Sequence, residues 1–405
     1  MTGCRFVVAA ATALLLAPVS GVVLLLAPTA AAAQATPDTA AADPPRPFVE
    51  GGPYDKPYQT RLLGRTAIGG YAEAHARWER VDGLREGLGF ELKRWNLFTA
   101  TQVNDHVRIG AELEFEELAE EVTLEFAAID FIVHPALTLR AGAILAPLGR
   151  FNLSHDSPQN EFTDRPLVST EIIGTALTEV GAGALGRFDW GREARLTYEL
   201  YAVNGFHDGV IQDSPDGTRI PAGKGNAEDD NSSPAAVGRL AFSPRLGWEL
   251  GLSAHHGAYN RFSIDGESVA PRNDVTLLAL DAQATVAGVE LSGEAVRATI
   301  DLPAGLRGLF ADRQEGLYVQ ATYRFGRGWI ATIPASFFEV GARYDGVDFD
   351  ADIEGDEVRR GTLGINFRPS EDVALKLNYV RGRERDRFNN AAETAGVLFS
   401  IATYF

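Results

Sequence analysis

Cysteine is almost absent from this chain of 405 residues: Cys4 is the only one. One thiol cannot pair within the chain, so a disulfide scaffold is excluded, and a cysteine-ligated zinc site with it. Lysine is nearly as scarce, with Lys56, Lys93, Lys224 and Lys376 the only four. Positive charge falls short of negative, with 37 Lys and Arg against 55 Asp and Glu and a net charge of −18. That balance argues against a nucleic-acid partner. Beyond residue 33 no apolar run approaches the length of a membrane-spanning helix. The 45% hydrophobic and 9% aromatic content nevertheless excludes wholesale disorder.

What is present begins with an address. Arg5 is the only charge among the first 37 residues, and an apolar stretch follows that ends Ala31-Ala32-Ala33. A basic start, an apolar middle and a small-residue end predict a cleaved secretory signal over 1–33. Pro18, Gly21 and Pro28 interrupt the stretch and argue against a stable anchor. Cys4 precedes the apolar run, so it is not a lipoprotein cysteine. Residues 34–65, rich in Pro, Ala and Gly, are expected to be a flexible leader, partly folded into whatever follows.

From Thr66 onward the hydrophobic period is two. Val107, Ile109, Ala111, Leu113 and Phe115 alternate with Arg108, Gly110, Glu112, Glu114 and Glu116. Leu375, Leu377 and Tyr379 alternate with Lys376 and Asn378. In a strand such residues share one face; in a helix they would scatter. Sixteen such segments are expected over 66–405. Their connections alternate in length: short at Asn104–His106, His134–Ala136, Asp189–Arg192 and Gly288, long at 147–176, 205–233, 259–273 and 301–314. An even number of alternating strands with short turns opposite long loops predicts an all-β fold, a closed transmembrane antiparallel barrel of sixteen strands in the outer membrane. Closure is what lipid demands, because every backbone N–H and C=O there needs a partner. A soluble β-sandwich also alternates, but it rarely keeps this rhythm over so many strands. The chain ends inside the last segment on Phe405, the kind of terminus by which bacterial barrels engage their assembly machinery.

Charges on the lipid side are costly, so the strand charges are expected to line the lumen. Arg94, Arg108, Arg140, Arg324, Arg343 and Lys376 are read as pore-lining cations, and Glu73, Glu112, Glu114 and Glu125 as inward carboxylates. The lumen is expected to be wet, with opposite signs on facing walls. The loop 147–176 carries Arg150 and Arg165, the acids Asp156, Glu161, Asp164 and Glu171, and the apolar anchors Phe151, Phe162, Ile172 and Ile173. An exterior loop has no use for such anchors, so this third loop is expected to fold inward and narrow the channel. Arg94, Arg140, Arg324 and Arg343 are expected to face its carboxylates. Loops 205–233 and 345–357 are acidic and read as solvated outer loops; Asp348, Asp350, Asp352 and Glu354 alternate, with weak Ca²⁺ or Mg²⁺ bridging to lipopolysaccharide as the other reading. The seven histidines read as isolated polar or interfacial residues, and His255 and His256 must point to opposite faces.

The segment LRAGAILAPLGRFN (139–152), preceded by FEELAEEVTLEFAAIDF (115–131), resembles the phosphate-selective porin O and P family. The resemblance runs from about Ile68 to Phe405. It implies a sixteen-stranded trimeric porin that passes anions such as phosphate, with lysines lining the pore and arginines on the third loop. The four lysines here make no ladder; Arg150 and Arg165 stand where the loop arginines would be.

The expected function is passive diffusion of small hydrophilic solutes and ions through a charged pore. No cofactor, metal or catalytic residue is expected. The partners are outer-membrane lipid and lipopolysaccharide, ions in transit, the assembly machinery acting on Phe405, and two further copies in a homotrimer. Export by the Sec pathway follows from the signal. Two readings compete: a barrel-embedded lipase or protease, which needs a nucleophile and base on one wall, and a structural or adhesive barrel, which would not conduct. Small outward residues, Ala72, Ala74, Ala76, Ala111, Ala141 and Ala143, suggest strands one to five as the trimer contact.

Overall fold

The computed structural model describes Lys56 and residues 60–405 apart from 64, 86, 192, 214–216 and 265–266. Residues 1–33, read as a secretory signal, and most of the segment read as leader lie outside the described residues. Sixteen long strands form one closed antiparallel wall. They are β1 (Thr66–Val81), β2 (Gly89–Gln102), β3 (Val107–Glu116), β4 (Glu121–His134), β5 (Leu137–Leu145), β6 (Thr178–Trp190), β7 (Ala194–Val203) and β8 (Ala235–Arg245). Then follow β9 (Trp248–Ala258), β10 (Asp274–Val286), β11 (Val289–Ile300), β12 (Arg313–Phe325), β13 (Phe337–Asp348), β14 (Glu357–Ser370), β15 (Val373–Arg385) and β16 (Ala391–Tyr404). Each strand pairs with the next, and the ring closes where Tyr71 faces Tyr404 and Val81 faces Thr394. The Phe405 amide and carbonyl exchange hydrogen bonds with Gly70, so the seam is bonded to the last residue.

Alternation sets the two faces. On β15 Leu377 and Tyr379 are exposed to the outside while Lys376, Asn378 and Val380 are buried inside. One departure from strict alternation has a clear cause. Glu125 would point outward by parity, but a bulge opposite Glu112 and Leu113 leaves it unpaired and turns it inward beside Phe126. The bulge thereby keeps a carboxylate out of lipid.

The turns follow the expected rhythm. Ala287 and Gly288 both have positive φ, the backbone of a two-residue hairpin turn whose twist matches its strands. One connection on the short-turn rim, 326–336, is longer and packs Trp329 against Phe325 and Phe338. A short strand, Thr60–Leu63, pairs with the start of β1 inside the segment read as leader.

The lumen differs from the expectation of a wet interior throughout. Val275 and Leu277 on β10, Val296 and Ala298 on β11 and Val237 on β8 point inward and are buried. They form an apolar core with Val168, Ile172 and Ile173 of the third loop and Phe206, Val210 and Ile220 of the loop after β7. The acidic loop 205–233 is therefore not simply solvated; its apolar residues draw it into the barrel. In β10 the inner face is apolar at its loop end and polar at Asp281 and Gln283, a change that period-two reading alone does not weigh.

Candidate functional site

The third loop, 146–177, lies across the lumen. It is launched by Gly149, whose φ is +72° and where a Cβ would sit 2.4 Å from the Glu294 carboxylate. The Gly149 amide donates to Ser253 at 2.8 Å, and the Arg150 and Phe151 amides donate to Glu294 at 2.9 and 3.2 Å. Asn152 closes the base of the loop. Its amide nitrogen donates to the carbonyls of Ala146 and Leu177, and its oxygen accepts the Leu177 amide. Leaving such buried backbone groups unpaired would cost about 1–3 kcal/mol each, so this side chain fixes both ends of the loop.

The tip is held by cations of three adjacent strands. The Lys376 ammonium on β15 donates to the Ser157 carbonyl at 2.7 Å. Arg368 on β14 donates to the Pro158 carbonyl at 2.7 Å. Arg343 on β13 donates to the Asp164 carbonyl at 3.0 Å, and Arg360 on β14 bonds the Arg165 carbonyl at 2.8 Å and the Asp164 carboxylate at 3.1 Å. Arg77 on β1 also pairs with Asp164. Asp345 completes the grip by accepting the Leu167 amide at 3.0 Å. The acidic run 345–357 reads as an outer loop, but its first residue, Asp345, is an inward residue of β13.

Phe162 seats the tip. Gly341 and Gly364 face each other across β13 and β14, and a Cβ on either would stand 3.0–3.2 Å from the Phe162 ring. The Arg343 guanidinium lies 4.9 Å from the centre of that ring. A paired-glycine seat has no period-two signal of its own, so no local pattern marks it.

The opposite wall is acidic. Glu73, Glu112, Glu114, Glu125 and Asp130 line β1, β3 and β4 and are buried. Arg94 pairs there with Glu73, Glu114 and Glu116 at 3.3–3.4 Å. Arg140 is bidentate to Asp130 at 2.8 and 3.0 Å, and Arg108 shares that carboxylate at 3.0 Å. Arg324 pairs with Glu339 and Glu371 at 3.1 and 3.4 Å. These partners correct the expectation for three cations: Arg94, Arg140 and Arg324 brace the wall and do not face the loop's carboxylates. Of the four named, Arg343 alone grips the loop, and it does so through backbone carbonyls. The reason is geometric, since neighbouring strands place wall carboxylates closer than the loop's.

The loop's own charges divide by burial. Asp156 and Glu161 are buried; Asp156 accepts the Tyr404 hydroxyl at 2.7 Å, and Glu161 accepts Gln320 at 2.9 Å. Lys56, from the segment read as leader, reaches this point and pairs with Asp156 and, at 3.3 Å, with Glu112. Arg150, Arg165, Asp164 and Glu171 are only partly buried. Arg165 donates to the Thr175 carbonyl at 3.1 Å, and Glu171 accepts from Thr170 at 3.1 Å.

Three histidines read as isolated are buried partners of carboxylates. His75 meets Glu73 at 2.9 Å, His155 of the loop meets Glu125 at 3.4 Å, and His255 meets Glu179 at 3.0 Å. His256 points the other way and bonds Thr276, as the alternation requires. In the outer loop Asp348 and Asp350 each accept the amide two residues on, and Asp352 pairs with Arg313 at 2.6 Å. Among the described residues no cluster of His, Cys, Asp and Glu is placed to hold a metal ion.

A sixteen-stranded barrel with its third loop folded across a charged lumen is the architecture of an outer-membrane porin. The phosphate-selective porin O and P family model matches residues 71–403, and the chain belongs to that family. A relative from Aquifex aeolicus (strain VF5), described as an uncharacterized protein, is 27% identical over 387 residues, covering 87% of this chain and 84% of the relative. The anion-selective porin from Comamonas acidovorans aligns at 13% identity with a TM-score of 0.55, over 84% of this chain and 99% of that one. The Salmonella typhi OmpF complex with Daunomycin aligns at 10% identity and 0.53, over 86% and 100%. The outer membrane channel DcaP of Acinetobacter baumannii aligns at 13% and 0.51, over 84% and 97%. At such identities these structures establish the shared fold.

Proposed function

We propose that this porin passes small hydrophilic anions, phosphate among them, by passive diffusion through the gap left by the third loop. One observation carries the reading. The loop's acids Asp156 and Glu161 are buried and bonded, whereas the partly accessible charges beside the loop are Arg77, Arg150, Arg165 and Arg360 against Asp164, Glu171 and Glu79, the last paired with Arg77 at 3.5 Å. The accessible balance at the narrow point is therefore cationic although the chain as a whole is acidic. Rings of cationic side chains favour anions in a pore. Arg94, Arg108, Arg140, Arg324, Arg343 and Lys376 support the path as its walls and braces. The description of the family and the anion-selective neighbour point the same way.

Bilayer reversal potentials test this. In a KCl gradient the potential should carry the sign of chloride preference, and added phosphate should compete with chloride current. A clear cation preference would sink the proposal. A barrel without conductance would favour the structural reading, and hydrolysis of a phospholipid or peptide panel would revive the enzymatic one.

The same reading includes export through the Sec pathway after removal of residues 1–33, and insertion through the strand ending at Phe405. It also includes a homotrimer, supported by the trimer form of OmpT of Vibrio cholerae, which shares the fold. The small outward residues of β1, β3 and β5 suit the contact, because they let backbones approach. Native electrophoresis with crosslinking in mild detergent should return trimers; monomer alone would refute the assembly.

A further inference from the structure

The outer wall carries a cationic patch that the channel does not use. On β15 the outward residues run Leu375, Leu377, Tyr379, Arg381 and Arg383, alternating with the inward Lys376, Asn378, Val380 and Gly382. The register places Arg381 opposite Ala395 on β16, which in turn faces Arg80 on β1. On the other side Arg383 faces Arg359 on β14, and Arg385 faces Glu357. Five arginines from three strands, β1, β14 and β15, thus gather on one outward face across β16.

Four carboxylates lie nearby, Glu357, Glu393, Asp82 and Glu354 beside Arg385, one fewer than the arginines. Glu393 pairs with Arg381 at 3.4 Å, both largely exposed, and Glu357 takes Arg359 at 2.6 Å and Arg385 at 3.5 Å. Asp82 accepts the Glu393 amide at 2.8 Å. Arg80 and Arg383 have no ion pair with a described residue; Arg80 instead lies over the Trp78 ring at 5.4 Å. Gly361 and Ala395 flank Arg381 and leave room around its head.

Position gives the patch its meaning. The connection 386–390 joins β15 to β16 on the same rim as the third loop, the rim that faces outward in barrels with short periplasmic turns. Directly below the arginines the outward residues are Trp78, Val397, Tyr379 and Leu363, all exposed, a face suited to acyl chains under an aromatic belt. Charge above and hydrocarbon below describe an amphiphile with a phosphate head. Guanidinium is the side chain whose fork matches phosphate oxygens.

We propose that Arg80, Arg359, Arg381, Arg383 and Arg385 form a binding site for the phosphate groups of the outer-leaflet glycolipid, lipopolysaccharide, with its acyl chains along Trp78, Tyr379 and Leu363. The site rests on the outer-membrane placement of the barrel and not on what the pore conducts. Each arginine at an anionic membrane surface strengthens attachment about fivefold, so removing three should weaken it on the order of 100-fold.

The test uses the full chain in detergent, titrated with bisphosphorylated lipid A, lipid A with both phosphates removed, and phosphatidylglycerol, followed by native mass spectrometry and melting. The wild type should retain bisphosphorylated lipid A, lose retention with the dephosphorylated form, and prefer lipid A over phosphatidylglycerol. The combined variant Arg80→Gln, Arg381→Gln, Arg383→Gln should lose that retention while keeping wild-type conductance. Arg297→Gln, which removes an exposed outward arginine on β11, should change nothing. Equal retention of the dephosphorylated lipid, equal binding of phosphatidylglycerol, an unaffected triple variant, or arginines found covered by a second copy would each overturn the site. If the triple variant does not fold, the three lipids on the wild type and Arg383→Gln alone still decide. A barrel that binds lipid A without conducting would sink the channel reading and leave the site standing.

Discussion

Replacing residues 154–172 with a short Gly-Ser linker should raise single-channel conductance severalfold and make the current more anion-selective. The first effect follows from geometry. The loop crosses a sixteen-stranded barrel, a size whose unobstructed interior is an aqueous channel. Its tip reaches from Glu73 on β1, through the Ser157 hydroxyl, to Asp345 on β13. The second effect follows from the anchors. Arg343, Arg360, Arg368 and Lys376 now spend their donors on loop carbonyls and Asp164. Excision would turn these four cations toward water, Arg343 and Arg360 still sharing Asp345, and would remove the four acids Asp156, Glu161, Asp164 and Glu171 against one cation, Arg165. Planar-bilayer conductance and reversal potential measure both changes together. An unchanged conductance would mean that the loop does not set the bore, and a shift toward cations would mean that the anchors do not face the path.

Lys376→Met should loosen the same loop while leaving the wall intact. The ammonium is fully buried and holds the Ser157 carbonyl at 2.7 Å and the Phe162 carbonyl at 3.4 Å. Methionine keeps most of the volume and removes the donors. Leaving two buried carbonyls without a donor costs about 1–3 kcal/mol each, on the order of 2–6 kcal/mol together. The heat-modifiability midpoint on electrophoresis should fall on the order of 5–10 °C. Open-channel current should become noisy as the loop samples other positions. Lys376→Arg, which keeps the charge, should recover part of both. A midpoint equal to the wild type would show that Arg368 and Arg343 hold the tip without it.

Much of this was legible in the sequence, for particular reasons. Leu377 and Tyr379 alternating with Lys376 and Asn378 fix which face meets lipid, because a charge there is penalised. Phe162, Ile172 and Ile173 mark loop 147–176 as inward, because apolar anchors need a core. All three are buried. Other features were not legible. Arg94, Arg140 and Arg324 look alike in sequence to Arg343, yet they brace wall carboxylates on neighbouring strands. His155 and Glu125 are thirty residues apart and meet only because a bulge turns Glu125 inward. Asp345 looked like one more acid in an outer run; register makes it a loop anchor.

The sequence by itself determined the sixteen alternating strands, the side of the wall that faces lipid and the loop that turns in. These rest on local rules, the period of two and the cost of charge in hydrocarbon, which act residue by residue. The tertiary structure decided which cations grip the loop, which carboxylates they meet, where the lumen is dry and which arginines gather on the outer face. Those outcomes depend on strand register and on barrel closure, which bring together residues as distant as Ser157 and Lys376. No local pattern encodes such a pairing.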